Sequence, residues 1–383
     1  MNVLMIFFLL LFRHNLPETT FEQMTFTVND SSSELVSEGI TRMKAGEYMI
    51  AIDYFNQAIH IDPKDATAYL KRAFCKNQLK EYNSALQDYS DALSCSSKWE
   101  DACEACYNRG LTHALLGNLQ HALDDFSYAI KLDPDNADAW FNRSIIKGKI
   151  GDYDGELKDV DQVIALRPDN SPAFNSRGII MSVTGNYTEA LKDFGRAIAL
   201  NAKNAEAYYN RALVLTDLKE YDDALEDLNT CIQLRPDADT YNRRGNIKFL
   251  LNRMRDAMED FSTAISLRPA YYVSYVNRGF LEYEFGDCSS AIKDLDEAIR
   301  LNPSCAPAYY DRGLAEEHAG AHDKAIADFT HAIELKPGYE EAYLQRGMAK
   351  YKTGDGQGGC EDVHKAADLG NNPAYEYLKQ NCK

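Results

Sequence analysis

The sequence predicts an all-α solenoid of tandem helix–turn–helix repeats, and three observations predict it. An Asn-Arg pair recurs in "YNRG" (Tyr107–Gly110), "FNRS" (Phe141–Ser144), "YNRA" (Tyr209–Ala212) and "VNRG" (Val276–Gly279), the first step being 34 residues. Thirteen residues past the Arg an Ala returns at Ala85, Ala122, Ala190, Ala224, Ala257, Ala291 and Ala325. Pro closes the unit at Pro63, Pro134, Pro168, Pro236, Pro269, Pro303 and Pro337. Self-similarity at such a period marks an array whose units bury their apolar faces only by stacking.

Residues 1–31 form an apolar segment and linker. The run "VLMIFFLLLF" is ten residues long, about half of what a bilayer-spanning helix needs. As a signal it lacks a basic start and a nearby small-residue cleavage site, which an upstream extension or initiation at Met24 would explain. Membrane contact is expected only through residues 3–12, if at all. The expected location is cytoplasmic; export or membrane anchoring through this run is the alternative.

Ten repeats follow at 32–65, 66–102, 103–136, 137–170, 171–204, 205–237, 238–271, 272–305, 306–339 and 340–371, and positions are counted below from the first residue of each. Repeat two carries three extra residues around "SCSSKWED", and repeat six is one short at "RPDADTY". Small residues at position eight (Gly110, Gly178, Ala212, Gly245) let the two helices approach, and bulky ones at position 24 (Phe126, Phe194, Phe261, Phe329) fill the space beside them. Turns such as "GDYDGE" and "GNYTEA" end the first helix, and the closing Pro cannot continue the second. Residues 372–383 read as a capping helix, with Tyr375 and Leu378 inward and Lys379, Gln380 and Lys383 outward.

This pattern of aromatic, Gly, Ala, Phe, Ala and Pro closely resembles the tetratricopeptide repeat over residues 32 to 371. The resemblance implies a right-handed superhelical solenoid whose first helices line a concave face. It also implies a non-catalytic scaffold for a protein or extended peptide.

Every Arg at position seven has an Asp 16 residues later, including Arg109 with Asp125, Arg143 with Asp159, Arg211 with Asp227 and Arg278 with Asp294. The spacing survives the repeats that gained or lost residues, and repeat one lacks both members. Such co-occurrence points to structural pairs in which a guanidinium fork meets a carboxylate, within a repeat or between neighbours. The Asn at position six (Asn108, Asn142, Asn210, Asn277) is different, because it is replaced elsewhere. The resemblance implies that it lines the concave face, where Asn can pair with a peptide backbone. Exposed helix polarity is the other reading. Position five offers Tyr107, Phe141, Tyr209 and Tyr310, either partner anchors or stacking core. Position two is acidic at Glu104, Asp138, Glu206, Asp239 and Glu341, which points to a partner with apolar and basic residues.

With 41 basic and 59 acidic residues the net charge is −18. Such a surface repels phosphate backbones, so no nucleic-acid partner is expected. No phosphate loop, zinc motif or catalytic constellation occurs, so no enzyme, cofactor or metal is expected. Nine scattered cysteines share no spacing and predict no disulfide framework, favouring a reducing compartment; "CEAC" reads as helix-face packing rather than a metal site.

Overall fold

The computed structural model describes residues 31–382, in which 21 helices and no strand occur. The run at residues 3–12 lies outside the described residues. No described helix is long and apolar enough to cross a membrane. The helices are α1 (Ser32–Lys44), α2 (Tyr48–Ile61), α3 (Ala66–Gln78), α4 (Tyr82–Cys95), α5 (Trp99–Leu115), α6 (Leu119–Leu132), α7 (Ala137–Lys149), α8 (Tyr153–Leu166), α9 (Ser171–Val183), α10 (Tyr187–Leu200) and α11 (Ala205–Asp217). They continue as α12 (Tyr221–Leu234), α13 (Ala238–Leu250), α14 (Met254–Leu267), α15 (Tyr272–Glu284), α16 (Cys288–Leu301), α17 (Ala306–His318), α18 (His322–Leu335), α19 (Glu340–Lys352), α20 (Gly356–Asp368) and α21 (Asn372–Asn381). They fall into two compact units, α1–α8 ending at Arg167 and α9–α21 beginning at Pro168.

Capping residues explain the boundaries. Asn136, Asn170 and Asn204 each accept the backbone N–H three residues on and open α7, α9 and α11. First helices end on a left-handed residue, glycine at Gly117, Gly151 and Gly185 but Lys80, Lys219 and Asn252 in repeats two, six and seven. The extra residues of repeat two do not stay in a loop. Trp99–Ala102 wind into the start of α5, a 17-residue helix where most first helices have 13. The shortened repeat six instead trims the turn before α13, where Asp237 caps Asp239 and Thr240.

Inside each repeat the Ala at position 20 is fully buried, as at Ala122, Ala190 and Ala257. A Cβ on Gly178 would stand 2.6 Å from Phe194, and one on Gly245 2.6 Å from Phe261. Where position eight carries a Cβ the partner is usually smaller: Ser144 faces Val160 and Ala212 faces Leu228. Ala73 with Tyr89 is the exception. The two positions share one volume, as a core at organic-crystal density requires.

The terminal helix differs from expectation. Ala374, Tyr377 and Leu378 pack on Leu344, Val363 and Ala366, whereas Tyr375 is 49% exposed and only its hydroxyl returns, donating to the Ala367 carbonyl. With α21 beginning at Asn372, residues 374, 377 and 378 share a face and 375 does not. A disulfide also corrects the cysteine reading: Cys360 is joined to Cys382, fastening the chain end to α20. Neither cysteine belongs to the repeat pattern, so no spacing could announce the bond. The other seven are free. Cys103 and Cys106 lie in the core, and burial pushes the Cys106 thiol up to about 12.

Candidate partner-binding face

The first helix of each repeat carries both the strut and the candidate face. All nine position-seven arginines grip the Asp 16 residues on through Nε and Nη2, at 2.6–2.9 Å. The aspartates are buried, and this two-pronged geometry is the strongest form of ion pair. Except in repeat three, where position four is Cys106, the guanidinium also lies over the aromatic at position four, for example Arg143 over Trp140 at 4.7 Å and Arg244 over Tyr241 at 5.2 Å. The remaining nitrogen reaches backwards: Nη1 donates to position 25 of the preceding repeat. Arg109 donates to Ser90, Arg143 to Ser127, Arg244 to Asn229, Arg278 to Ser262 and Arg346 to Thr330. One residue thus ties two helices within a repeat and two repeats to each other. In the repeat before Arg211 that position is Gly195, which has no acceptor to offer.

Position 11 acts on the same aspartate. Lys76, Lys147, Lys248 and Lys350 add a second cation to Asp88, Asp159, Asp260 and Asp362 at 2.7–2.8 Å. Repeats eight and nine place Glu282 and Glu316 there instead, each with a buried Oε2 that lacks a hydrogen-bond partner. Burial, then the charge of Asp294 or Asp328, pushes each of these carboxyls up to about 7. The folded chain therefore holds protons that the unfolded chain, at 4.5, gives up. Stability falls as pH rises from 4.5 to about 7, and the penalty is complete above that. Glu282→Lys/Glu316→Lys, which copies repeats two, four, seven and ten, is expected to remove this loss and to gain about 1–3 kcal/mol at pH 8. Urea unfolding at pH 5 and pH 8 checks it; a wild type and variant that change in parallel between the two would show the carboxyls to be harmless.

The asparagines are largely committed to architecture. Asn142 Nδ2 donates to the Tyr107 hydroxyl at 3.0 Å and to the Asp138 carbonyl at 2.8 Å. Asn210 Nδ2 donates to Asn175 Oδ1, and Asn277 Nδ2 to Asn242 and Asn246 Oδ1. In each case position six reaches position five of the preceding repeat. The donor half of the amide is taken, so these three offer less of the two-sided backbone pairing expected for Asn. Asn108 is partly buried and its side chain makes no hydrogen bond among the described residues.

The position-five aromatics are partly buried. Tyr107 packs on Phe126, and Tyr310 on Phe329 and Tyr339; Tyr209 donates to Asp239. The position-two acids are mostly neutralised from within. Glu104 pairs with Lys71, Asp138 with Arg167 and Glu206 with Arg235. Burial pushes Asp239 up, but hydrogen bonds from Tyr209 and Tyr271, with Arg243 close by, hold it below the usual carboxylate range. Glu341 has no such partner among the described residues.

What the expected positions miss is an aliphatic series at positions nine and 13. In the first unit Leu115 is 69% exposed and Ile145 39%; in the second, Val183 is 66% and Leu250 58%. The signal was present, since positions five, nine and 13 lie on one helical stripe. In the second unit a cavity of about 350 Å³ opens between α11 and α13, lined by Leu213, Thr216, Asp217, Arg243, Asn246, Ile247 and Leu250. It lies at the junction that is one residue short. Among the described residues no group of three or more His, Cys, Asp or Glu could hold a metal.

Tetratricopeptide repeat models match residues 36–101, 103–136, 205–237, 238–271 and 277–340, and a TPR repeat model matches 184–218. Tetratricopeptide repeat protein 36 of Danio rerio is 36% identical over 100 residues, 26% of this chain and 54% of that protein. The heat shock protein sti1 homolog of Schizosaccharomyces pombe is 31% identical over 106 residues, 28% and 17% of the two chains. This chain thus spans about half of the first relative and a small part of the second. Among solved structures the APC/C hetero-tetramer Cut9-Hcn1 shares the fold, at TM-score 0.51 and 14% identity over 92% of this chain and 90% of that one. With the arginine strut, the shared core volume and these matches in hand, the conclusion is that the chain belongs to the tetratricopeptide repeat family.

Proposed function

We propose that the protein is a non-catalytic scaffold that holds a peptide or protein partner against the concave face formed by its first helices. The observation that supports this best is the aliphatic stripe, because Ile179, Val183 and Leu250 stay exposed on the first helices of the second unit and Leu250 lines the cavity between α11 and α13. Exposed apolar residues grouped at one face mark interaction sites. The partner is read as an extended segment with apolar residues for the stripe and basic residues for the acidic surface. In the first unit Phe141 and Asn108 are candidate contacts on its own first helices.

A displayed peptide library panned on the full chain tests this. Selected peptides are expected to lose about tenfold or more in affinity, roughly 1.4 kcal/mol, on Val183→Asp/Leu250→Asp. Tyr128→Asp, on the second helix of repeat three, should change nothing. Equal binding by the stripe variant would place the partner elsewhere.

A second reading, an adaptor exported or anchored through residues 3–12, is favoured by the Cys360–Cys382 disulfide, since such bonds persist in oxidising compartments. Fractionation with sequencing of the mature N-terminus separates it from a cytoplasmic scaffold.

A further inference from the structure

Position six behaves alike wherever its side chain can reach a neighbour. Lys71 pairs with Glu104, and Asn142, Asn210 and Asn277 donate to the preceding repeat. In repeat seven the residue is Arg243, which lies beside Tyr209, Tyr271 and the Asp239 carboxylate. Tyr271 (position 34) and Tyr209 both donate to that carboxylate. Repeat seven thus encloses its own cation between tyrosines and an acid.

Repeat nine has the tyrosines and the acid, but among the described residues no cation pairs with that acid. Its position six is Asp311, the sole acid at this position in the ten repeats. It makes no hydrogen bond or ion pair among the described residues. The carboxyl group is deeply enclosed although the residue remains partly accessible. Beyond burial, its charge acts on Tyr283, Tyr339 and Cys305 and on Tyr310, its neighbour in the chain, and raises all four. Tyr310 and Tyr339 stand 4.9 Å apart, centroid to centroid. The outer acid is Glu341, exposed and unpaired, whose charge reaches both of these tyrosines. That an ammonium suits this surface is visible within the chain: Lys336 Nζ lies 4.2 Å from the centre of the Tyr339 ring.

We propose that Asp311 and Glu341, with Tyr283, Tyr310 and Tyr339, form a recognition site for a basic side chain of the partner, a lysine ammonium or arginine guanidinium. This rests on the scaffold reading and deepens it, because it assigns the partner's basic residue to the junction of repeats nine and ten. A carboxylate enclosed without a counter-ion is costly to the free protein. A cation bound over tyrosine faces supplies the missing charge, and partial desolvation strengthens its attraction to the rings.

The probe is n-butylammonium, with n-butanol as its neutral counterpart, titrated into the full chain while the tyrosine ring resonances are followed. Butylammonium is expected to shift the Tyr283, Tyr310 and Tyr339 signals and butanol to leave them in place. Asp311→Asn should weaken the response about tenfold, and Glu341→Gln, at an exposed residue, by a smaller factor. Binding should strengthen from pH 6 to pH 8, because burial pushes the Asp311 carboxyl up to about 7 and the ammonium competes with its proton. The groups facing it, the three tyrosine hydroxyls and the Cys305 thiol, are shifted upward and do not titrate in that window.

Stability gives an opposite readout. In the free protein Asp311→Asn should raise Tm at pH 8 and alter it little at pH 4, since a carboxyl raised from 3.8 to about 7 costs stability only as pH rises through that interval. A variant that is more stable yet blind to the cation is the expected result. No ring shift with wild type, or an equal shift with Asp311→Asn, overturns the proposal. The panned peptides keep this apart from the scaffold reading: if they bind the stripe and their basic residues can be replaced without loss, the scaffold stands and the cation site falls.

Discussion

Arg109→Ala is expected to destabilise the first unit by about 3 kcal/mol, the range for breaking a buried ion pair from one side. The substitution strands the Asp125 carboxylate, 5% exposed, whose two oxygens accept from Arg109 alone among the described residues. It also removes the donor to Ser90, so the preceding repeat loses a tie at the same time. No lysine stands by, because position 11 of this repeat is His113. The converse change isolates the link between repeats. Gly195→Ser should give Arg211 Nη1 the acceptor that Ser90, Ser127 and Ser262 provide elsewhere, raising stability by about 1 kcal/mol from the bond together with helix propensity. Gly195→Ala supplies the propensity without the hydroxyl, so the difference between the two reports the bond. Urea unfolding measures all three; an Arg109→Ala midpoint equal to wild type would mean that the pair orients nothing.

Phe194→Ala is expected to cost about 4 kcal/mol, because the ring is fully buried and its removal leaves a cavity that the neighbouring helices close only in part. A more informative experiment uses its facing glycine. Gly178→Ala alone should cost about 1–3 kcal/mol, since the new Cβ would meet the ring at 2.6 Å. Phe194→Leu alone should cost about 1 kcal/mol. Together they recreate the Ala212–Leu228 arrangement of repeat six, so the double variant should recover about 1–2 kcal/mol of the summed loss. Additive losses would show that the two positions do not share a volume.

While the structure placed both members of each strut in one repeat, periodicity by itself determined the repeat architecture, the helix pairs and the constant spacing of the arginine struts. These depend on residues a constant number of positions apart, and a constant spacing is visible in a string of letters. The 16-residue step from Arg109 to Asp125 is one case, and the positions of Gly178 and Phe194 are another. Only the tertiary structure decided which polar groups remain available. Glu104, Asp138, Glu206 and Asp239 look like an acidic row for a basic partner, yet each is met by a cation or hydroxyl from another element. Asn142, Asn210 and Asn277 look open and are bonded to the repeat before them. The same test leaves Asp311 and Glu341 unmatched. Whether a charge is satisfied depends on what the neighbouring helix brings within about 3 Å. That distance is set by packing between repeats, which no single repeat encodes.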